Sequence, residues 1–105
     1  MVVIHISNMD EYQNYVNNNE NVILYCSASW CGPCKKVSPI FEKLSNLYSK
    51  TKFLKCDVGK STDIANELKV NSIPLFVFTK NGDIIDALLR ADISTLLSFC
   101  NNYFV

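Results

Sequence analysis

The sequence VILYCSASWCGPCKKVSPIF, residues 22–41, joins an apolar run to a pair of cysteines and then to a helical pattern. Residues 22–27 are apolar on both alternations, which is typical of a strand covered on both faces of a sheet. From residue 34 to about residue 48, apolar side chains recur at intervals of three and four, the period of a helix with one buried face. Pro39 lies inside that helix and is expected to kink it.

Strands and helices alternate along the rest of the chain. We expect strands at 2–6, 52–58, 75–80 and 83–88, and helices at about 11–18, at 61–69 and from residue 92 onward. The last two strands flank Asn81 and Gly82, a turn signal for an antiparallel hairpin, whereas the earlier strands need parallel crossovers. The sequence therefore predicts an α/β fold in one domain, 1–105: a central mixed β-sheet with helices on both faces, in the order βαβαβαββα.

Composition narrows the classes of partner. Ten basic residues balance ten acidic ones, so no charge pattern favours nucleic acid or an anionic membrane surface. No apolar run approaches the roughly 20 residues that span a bilayer, and the opening MVVIHIS lacks the features of a signal peptide. We expect a cytoplasmic monomer whose partners are proteins or small molecules.

The chain has five cysteines, an odd number that argues against a framework of disulfides. A structural bond between Cys31 and Cys34 would close a very small loop, worth about 2 kcal/mol against roughly 4.7 kcal/mol for a loop of 100 residues. A zinc site would need two further ligands. The candidates for those ligands are scattered singly: His5, Cys26, Cys56 and Cys100. Both interpretations stay open beside a third, a reactive dithiol.

The reactive interpretation has a physical mechanism. Cys31 is expected just before or within the first turn of a helix, where unpaired N–H groups and the helix dipole favour an anion. The favoured anion is the thiolate, which is the nucleophilic form of cysteine. Cys31, the more exposed of the two, would attack a disulfide, and Cys34, one turn into the helix, would complete the exchange.

The neighbours of the two cysteines suit that chemistry. Pro33 fits a first helical turn because the N–H that proline lacks would have no partner there in any case. Gly32 lets the backbone turn sharply. Lys35 adds a nearby cation. Trp30 can cover one side of the site as a flat contact surface, and the alternative is that it packs in the core.

These residues resemble the active-site motif of the thioredoxin family. The motif matches at six successive positions: Trp30, Cys31, Gly32, Pro33, Cys34 and Lys35. Pro39 resembles the family's helix-kinking proline, and Ile73 with Pro74 resembles its cis-proline loop. The likeness covers essentially the whole chain, and it implies the thioredoxin fold and a protein-disulfide reductase with a Cys31–Cys34 redox disulfide.

The resemblance also implies how such a reductase works. It binds no cofactor of its own, and a thioredoxin reductase that draws on NADPH restores the dithiol. Its clients are disulfide-containing proteins of the peroxiredoxin-like or reductase-like kind. Clients would bind beside Cys31, against Ser72, Ile73, the cis residue Pro74 and Arg90, with the backbone of Ile73 pairing to them as an added strand.

Three residues depart from the family pattern. Tyr25 stands where thioredoxins usually carry a buried aspartate that takes the proton of the resolving thiol. A phenol keeps its proton at neutral pH, so we expect a slower second step and longer-lived mixed disulfides at Cys31. Leu75 replaces a common threonine. Arg90 replaces a small glycine, which should narrow the groove and favour acidic partners.

Residues outside the motif have simpler interpretations. Cys26 and Cys56 are expected to pack as small hydrophobic residues, and His5 to be structural. Cys100 could also be accessible enough for glutathionylation or dimerisation.

Two other functions remain open. The chain could be a thioredoxin-fold interaction module with incidental redox activity, or it could be a disulfide isomerase. The Gly-Pro pair between the cysteines argues against the isomerase, because isomerases of this fold usually carry a histidine there.

Overall fold

The computed structural model describes residues 2–89 and 92–104. The predicted order of elements is confirmed. The elements are β1 (Val3–His5), α1 (Met9–Asn18), β2 (Asn21–Ser27), α2 (Gly32–Leu47), β3 (Thr51–Asp57), α3 (Thr62–Glu67), β4 (Leu75–Lys80), β5 (Asp83–Leu88) and α4 (Ile93–Phe104). Arg90, predicted to line the client groove, lies outside the described residues.

The sheet is mixed, as predicted, and its strand order is β1-β3-β2-β4-β5. Strands β1 and β2 run parallel to β3, whereas β4 runs antiparallel to both β2 and β5. The apolar run 22–27 is the middle strand, and all six of its residues are buried. The hairpin turns at Asn81 (φ 52°) and Gly82 (φ 86°), both left-handed, which explains why this turn contains Asn-Gly.

Successive residues of β2 face opposite sides of the sheet, and a core lies on each side. On one side, Ile23 and Tyr25 pack against α2 and α4, which contribute Val37, Phe41, Leu44, Leu96, Cys100 and Phe104. On the other side, Val22, Leu24 and Cys26 pack with residues of α1 and α3, among them Tyr12, Val16 and Ile64. Tyr25 and Cys26 are therefore neighbours in sequence that belong to different cores.

The buried faces of the helices are narrower than the apolar pattern suggests. Leu47, the last residue of α2, is 72% exposed, although the period placed it on the buried face. In α4 the buried residues follow one line, Leu96, Cys100 and Phe104. Leu97 is exposed because one residue along a helix is a rotation of about 100° away from that line.

Among the described residues, no helix has the length and the apolar character that a membrane span requires.

Candidate active site

The two cysteines lie where the middle strand ends and the longest helix begins. Helix α2 starts at Gly32, two residues earlier than the apolar period indicates, because Cys31 acts as its N-cap. The Cys31 Sγ accepts the Cys34 N–H at 3.2 Å, and the Cys31 N–H donates to the Ala28 carbonyl at 3.1 Å. Pro33 occupies the first turn. The predicted position of Cys31, directly before an N-terminal helical turn, is confirmed.

Cys31 and Cys34 form a disulfide in this structure, with their Cα atoms 5.3 Å apart. Cys31 is the more exposed of the two, but it is only 6% exposed, against 2% for Cys34. The expectation that Cys31 is the more exposed cysteine is confirmed, although its side chain is not open to solvent in the oxidised form. The physical reason is the N-cap itself, since the Cys31 sulfur folds back toward the first-turn N–H that it accepts.

Trp30 lies on the surface beside the disulfide and is 69% exposed, so the alternative that it packs in the core is wrong. Its six-membered ring lies against Gly59, where an added Cβ would stand 2.7 Å from Trp30 Cζ3. The Gly59 N–H donates to Asp57 Oδ1 at 2.8 Å, which holds the loop after β3 in place. Gly59 makes room for the indole, a role that sequence reasoning missed. The signal was a glycine two residues beyond a strand end.

The loop before β4 has the predicted cis peptide bond between Ile73 and Pro74. Ser72 is exposed, and Ile73 is half-buried against the core cluster that contains both cysteines of the disulfide. Leu75, the residue after the proline, is buried at the start of β4.

Tyr25 lies beneath the start of α2 and is fully buried. Its ring centroid is 5.1 Å from that of Phe41 and 4.9 Å from that of Phe76. Its hydroxyl donates to the Cys34 carbonyl at 3.0 Å and lies 3.0 Å from Ser38 Oγ. The position that the family usually gives to a carboxylate is therefore occupied by a phenol bonded to the backbone of the second cysteine.

The remaining cysteines lie away from solvent. Cys26 and Cys56 are opposite each other in the register of β2 and β3 and are 0% and 3% exposed. A hydrogen bond with Cys56, together with burial, raises the pKa of Cys26. Cys100 is fully buried, which raises its pKa to about 12, so the alternative that it is an accessible thiol is wrong. All three have the surroundings of inert thiols.

Other candidate ligands do not gather around the cysteine pair. Within residues 2–89 and 92–104, no group of three or more His, Cys, Asp or Glu side chains could hold a metal ion. His5 lies on β1 and is exposed. The geometry instead matches the third interpretation, a dithiol that can close to a disulfide at a helix N-terminus.

The chain matches known proteins over most of its length. Residues 3–101 match the family described as Thioredoxin. The chain is 41% identical to a thioredoxin of Coprinus comatus, with 89% of this chain and 90% of that protein covered. It is 35% identical to Thioredoxin 1 of Plasmodium falciparum, over 93% of this chain and 94% of that protein.

Solved structures agree with that match. The structure of Plasmodium falciparum thioredoxin superposes with a TM-score of 0.92 at 34% identity, covering 95% of this chain and 98% of that one. The thioredoxin of Malassezia sympodialis gives a TM-score of 0.92 at 36% identity, covering 100% of this chain and 96% of that one. With the capped cysteine pair and the cis-proline loop in place, the chain belongs to the thioredoxin family and is a thiol–disulfide oxidoreductase.

Proposed function

We propose that the protein reduces the disulfides of other proteins, with Cys31 as the nucleophile and Cys34 as the resolving thiol. The Cys31 thiolate attacks one sulfur of the client disulfide, forming a mixed disulfide, and the other client sulfur leaves as a thiolate that takes a proton. The Cys34 thiolate then attacks Cys31 Sγ, which releases the second client thiol and leaves the Cys31–Cys34 disulfide. Two electrons pass from the dithiol to the client.

One observation carries this assignment: Cys31 caps helix α2, with its sulfur on the Cys34 N–H at 3.2 Å. The partial positive charge of the first helical turn stabilises a thiolate in that position. The bond between the two cysteines supports the second step, since it is the product that resolution must form.

The surface around the disulfide supports a client-binding role. We assign the contacts to the exposed Trp30 ring and to the loop of Ser72, Ile73 and Pro74, whose backbone would accept a client segment as an added strand. Gly32 and Pro33, in the first turn of α2, are exposed beside the disulfide. Lys35 and Arg90 would supply the charges that select acidic clients.

The electrons must be replaced after each turnover. Thioredoxins need no bound cofactor of their own, and we propose that NADPH supplies the electrons through a thioredoxin reductase. Peroxiredoxin-like or reductase-like proteins are the proposed clients. A solved structure with a TM-score of 0.90 and 33% identity comes from work on a yeast mitochondrial 1-Cys peroxiredoxin and the glutathione and thioredoxin systems.

We further propose that the 105 residues act as one domain, as a monomer, in the cytoplasm. The two cores on either side of one sheet support a single domain. The relatives include a protein named as mitochondrial, Thioredoxin-3 of Saccharomyces cerevisiae, so imaging of a tagged full chain is the test of the compartment.

Insulin reduction by a dithiol tests the proposed activity. Cys31→Ser and Cys34→Ser should each lower turnover to the uncatalysed background. Cys100→Ala, which changes a buried thiol on the same face of the sheet, is the matched control and should retain turnover. Activity that survives the loss of Cys31 and Cys34 together would refute the proposal and favour the interaction module.

The reduction potential separates a reductase from an isomerase. We expect a value near −270 mV, about that of thioredoxin, whereas an isomerase would lie near −180 mV.

A further inference from the structure

Two side chains bond to the backbone carbonyl of Cys34, and a third side chain bonds to one of those two. Ser38 Oγ on α2 donates to the Cys34 carbonyl at 2.8 Å, and the Tyr25 hydroxyl on β2 donates to the same oxygen at 3.0 Å. Lys55 on β3 donates from Nζ to Ser38 Oγ at 3.3 Å. A hydrogen-bonded chain therefore runs from an ammonium group, through a hydroxyl, to the first turn of α2.

Lys55 is held in this position by a second contact. It pairs with Tyr25 in the register of β2 and β3, and its Nζ lies 5.3 Å from the centroid of the Tyr25 ring. That distance is within the range of a cation–π interaction. Lys55 is half-buried rather than free in solvent. The ammonium is thus fixed between the ring of Tyr25 and the hydroxyl of Ser38, and Ser38 connects it to the Cys34 carbonyl.

Lys55 and Cys34 also line the same cavity, of about 420 Å³. The charged or titratable groups that line it come from β1, α2, β3 and the loop after β3: His5, Lys35, Lys55, Cys56, Asp57 and Lys60. Beyond the cavity, Tyr25 of β2 and Cys31 also face Cys34. Three ammonium groups meet one carboxylate, and Asp57 Oδ1 accepts the N–H of Gly59 in its own loop. The surroundings of Cys34 are therefore cationic.

We propose that Tyr25 and Ser38 hold Lys55 as a positioning residue whose charge stabilises the Cys34 thiolate during resolution of the mixed disulfide. A carboxylate would accept the thiol proton, but its own charge would oppose the thiolate. A fixed ammonium cannot accept the proton, and it favours the thiolate directly. The Cys34 proton then passes to solvent, the thiolate attacks Cys31 Sγ, and the client leaves as a thiolate that is reprotonated by solvent.

This inference rests on the proposed role of Cys34 as the resolving thiol. It also changes the expectation drawn from Tyr25. The second step lacks a carboxylate base. The Cys34 thiolate is still stabilised, because the phenol that replaces the carboxylate holds a cation in place.

The test measures the ionisation of Cys34 without relying on turnover. The thiolate absorbance near 240 nm is titrated in the Cys31→Ser variant, in which serine retains an N-cap side chain, and in the variant that also carries Cys34→Ser. The difference between the two titrations belongs to Cys34. In this background, Lys55→Met should raise the apparent pKa of Cys34 by about one unit, and Lys55→Arg should restore it.

Lys52→Met is the matched control. It removes the same charge from the same strand, but Lys52 is exposed at the opposite end of β3 and lines a different cavity. Ser38→Ala should give a smaller shift in the same direction as Lys55→Met, since the ammonium loses one of its two contacts.

The outcomes separate this inference from the proposed function. No shift with Lys55→Met, or an equal shift with Lys52→Met, overturns the role of Lys55 while leaving insulin reduction intact. If Lys55→Met lowers the Cys34 absorbance change at every pH without shifting the pKa, the effect is purely structural and the role of Lys55 is also overturned. A wild-type protein that cannot reduce insulin would refute the proposed function, and the titration would still decide whether Lys55 stabilises the thiolate.

Discussion

Two pairs of cysteines lie near the same end of the middle strand, and the fold gives them opposite properties. Cys31 and Cys34 lie at the N-terminus of α2 and are joined as a disulfide. Cys26 and Cys56 face each other across β2 and β3 and remain free thiols in the core under α1 and α3. The residue type is the same, so the difference comes from the backbone around each sulfur.

The nucleophile of the first pair has a backbone donor at its sulfur, whereas the described contacts of the second pair are a thiol and apolar side chains. A first-turn N–H points at Cys31 Sγ, which favours negative charge there. Cys26 has a second thiol and apolar side chains around it, and these raise its pKa. A helix N-terminus thus favours the reactive thiolate, whereas in the interior of a sheet a cysteine behaves as a small hydrophobic residue.

Alkylation of the reduced protein should show the largest contrast between the pairs. At pH 7, iodoacetamide should modify Cys31 at least about 100-fold faster than Cys26, Cys56 or Cys100, because the thiolate is the reactive form and burial suppresses it. Mass spectrometry of peptides at successive times measures the rates. Labelling of Cys26 at a rate near that of Cys31 in the folded protein would erase the distinction.

Alkaline pH should destabilise the protein through its buried thiols. The pKa of Cys100 is raised to about 12 in the folded state, so from about pH 9 the unfolded state binds fewer protons than the folded state. Stability is then lost as pH rises from 9 toward 12, at up to about 1.4 kcal/mol per pH unit. Urea unfolding of the oxidised protein at successive pH values measures the slope.

Cys100→Ala is the corresponding variant. It should have a shallower slope above pH 9, while the raised pKa of Cys26 continues to contribute. Parallel curves for the variant and the wild type would show that Cys100 ionises alike in both states.

Removing the inert pair should affect stability and leave the chemistry unchanged. The double variant Cys26→Ala with Cys56→Ala should lose about 2 kcal/mol of unfolding free energy, because it opens small cavities in a packed core. Insulin reduction should stay within about twofold of the wild type. A collapse of turnover in a folded double variant would mean that this pair takes part in the reaction.

Tyr25→Phe should have the smallest effect on stability, about 1 kcal/mol, because the Cys34 carbonyl keeps its bond from Ser38. Tyr12→Phe is the matched control, since Tyr12 OH also makes one buried hydrogen bond, to Thr79 Oγ1 at 3.1 Å, on the other side of the sheet. Both variants should lose similar stability in urea. Only Tyr25→Phe should slow the release of client from a mixed disulfide at Cys31, and equal release rates would contradict a role for Tyr25 at the site.

Much of the fold was predictable because its patterns are local. The bounds 75–80 and 83–88 agree with β4 and β5, since Asn-Gly determines where a hairpin turns. The start of α2 was misplaced because a cysteine is an unusual N-cap, and its capping bond becomes visible only in the folded backbone. The exposure of Leu47 depends on where the helix ends relative to the core, which apolar period alone does not specify.

The site divides in the same way. The order of the residues from Trp30 to Lys35 was enough to predict a reactive dithiol. The cis bond before Pro74 followed from the family resemblance. No local pattern linked Gly59 or Lys55 to the site. Gly59 lies 29 positions after Trp30, and Lys55 lies 21 positions after Cys34, so pattern along the chain could not connect them.

By itself, the sequence determined the alternation of strands and helices and the identity of the reactive pair, because both depend on neighbours a few residues apart. Only the tertiary structure decided that Cys100 is buried, that Gly59 makes room for the Trp30 ring, and that an ammonium group is linked through Ser38 to the Cys34 carbonyl. Those properties arise from side chains that meet across strands. Charge and burial act through space, and the pairing of β2 with β3 is what brings these groups together.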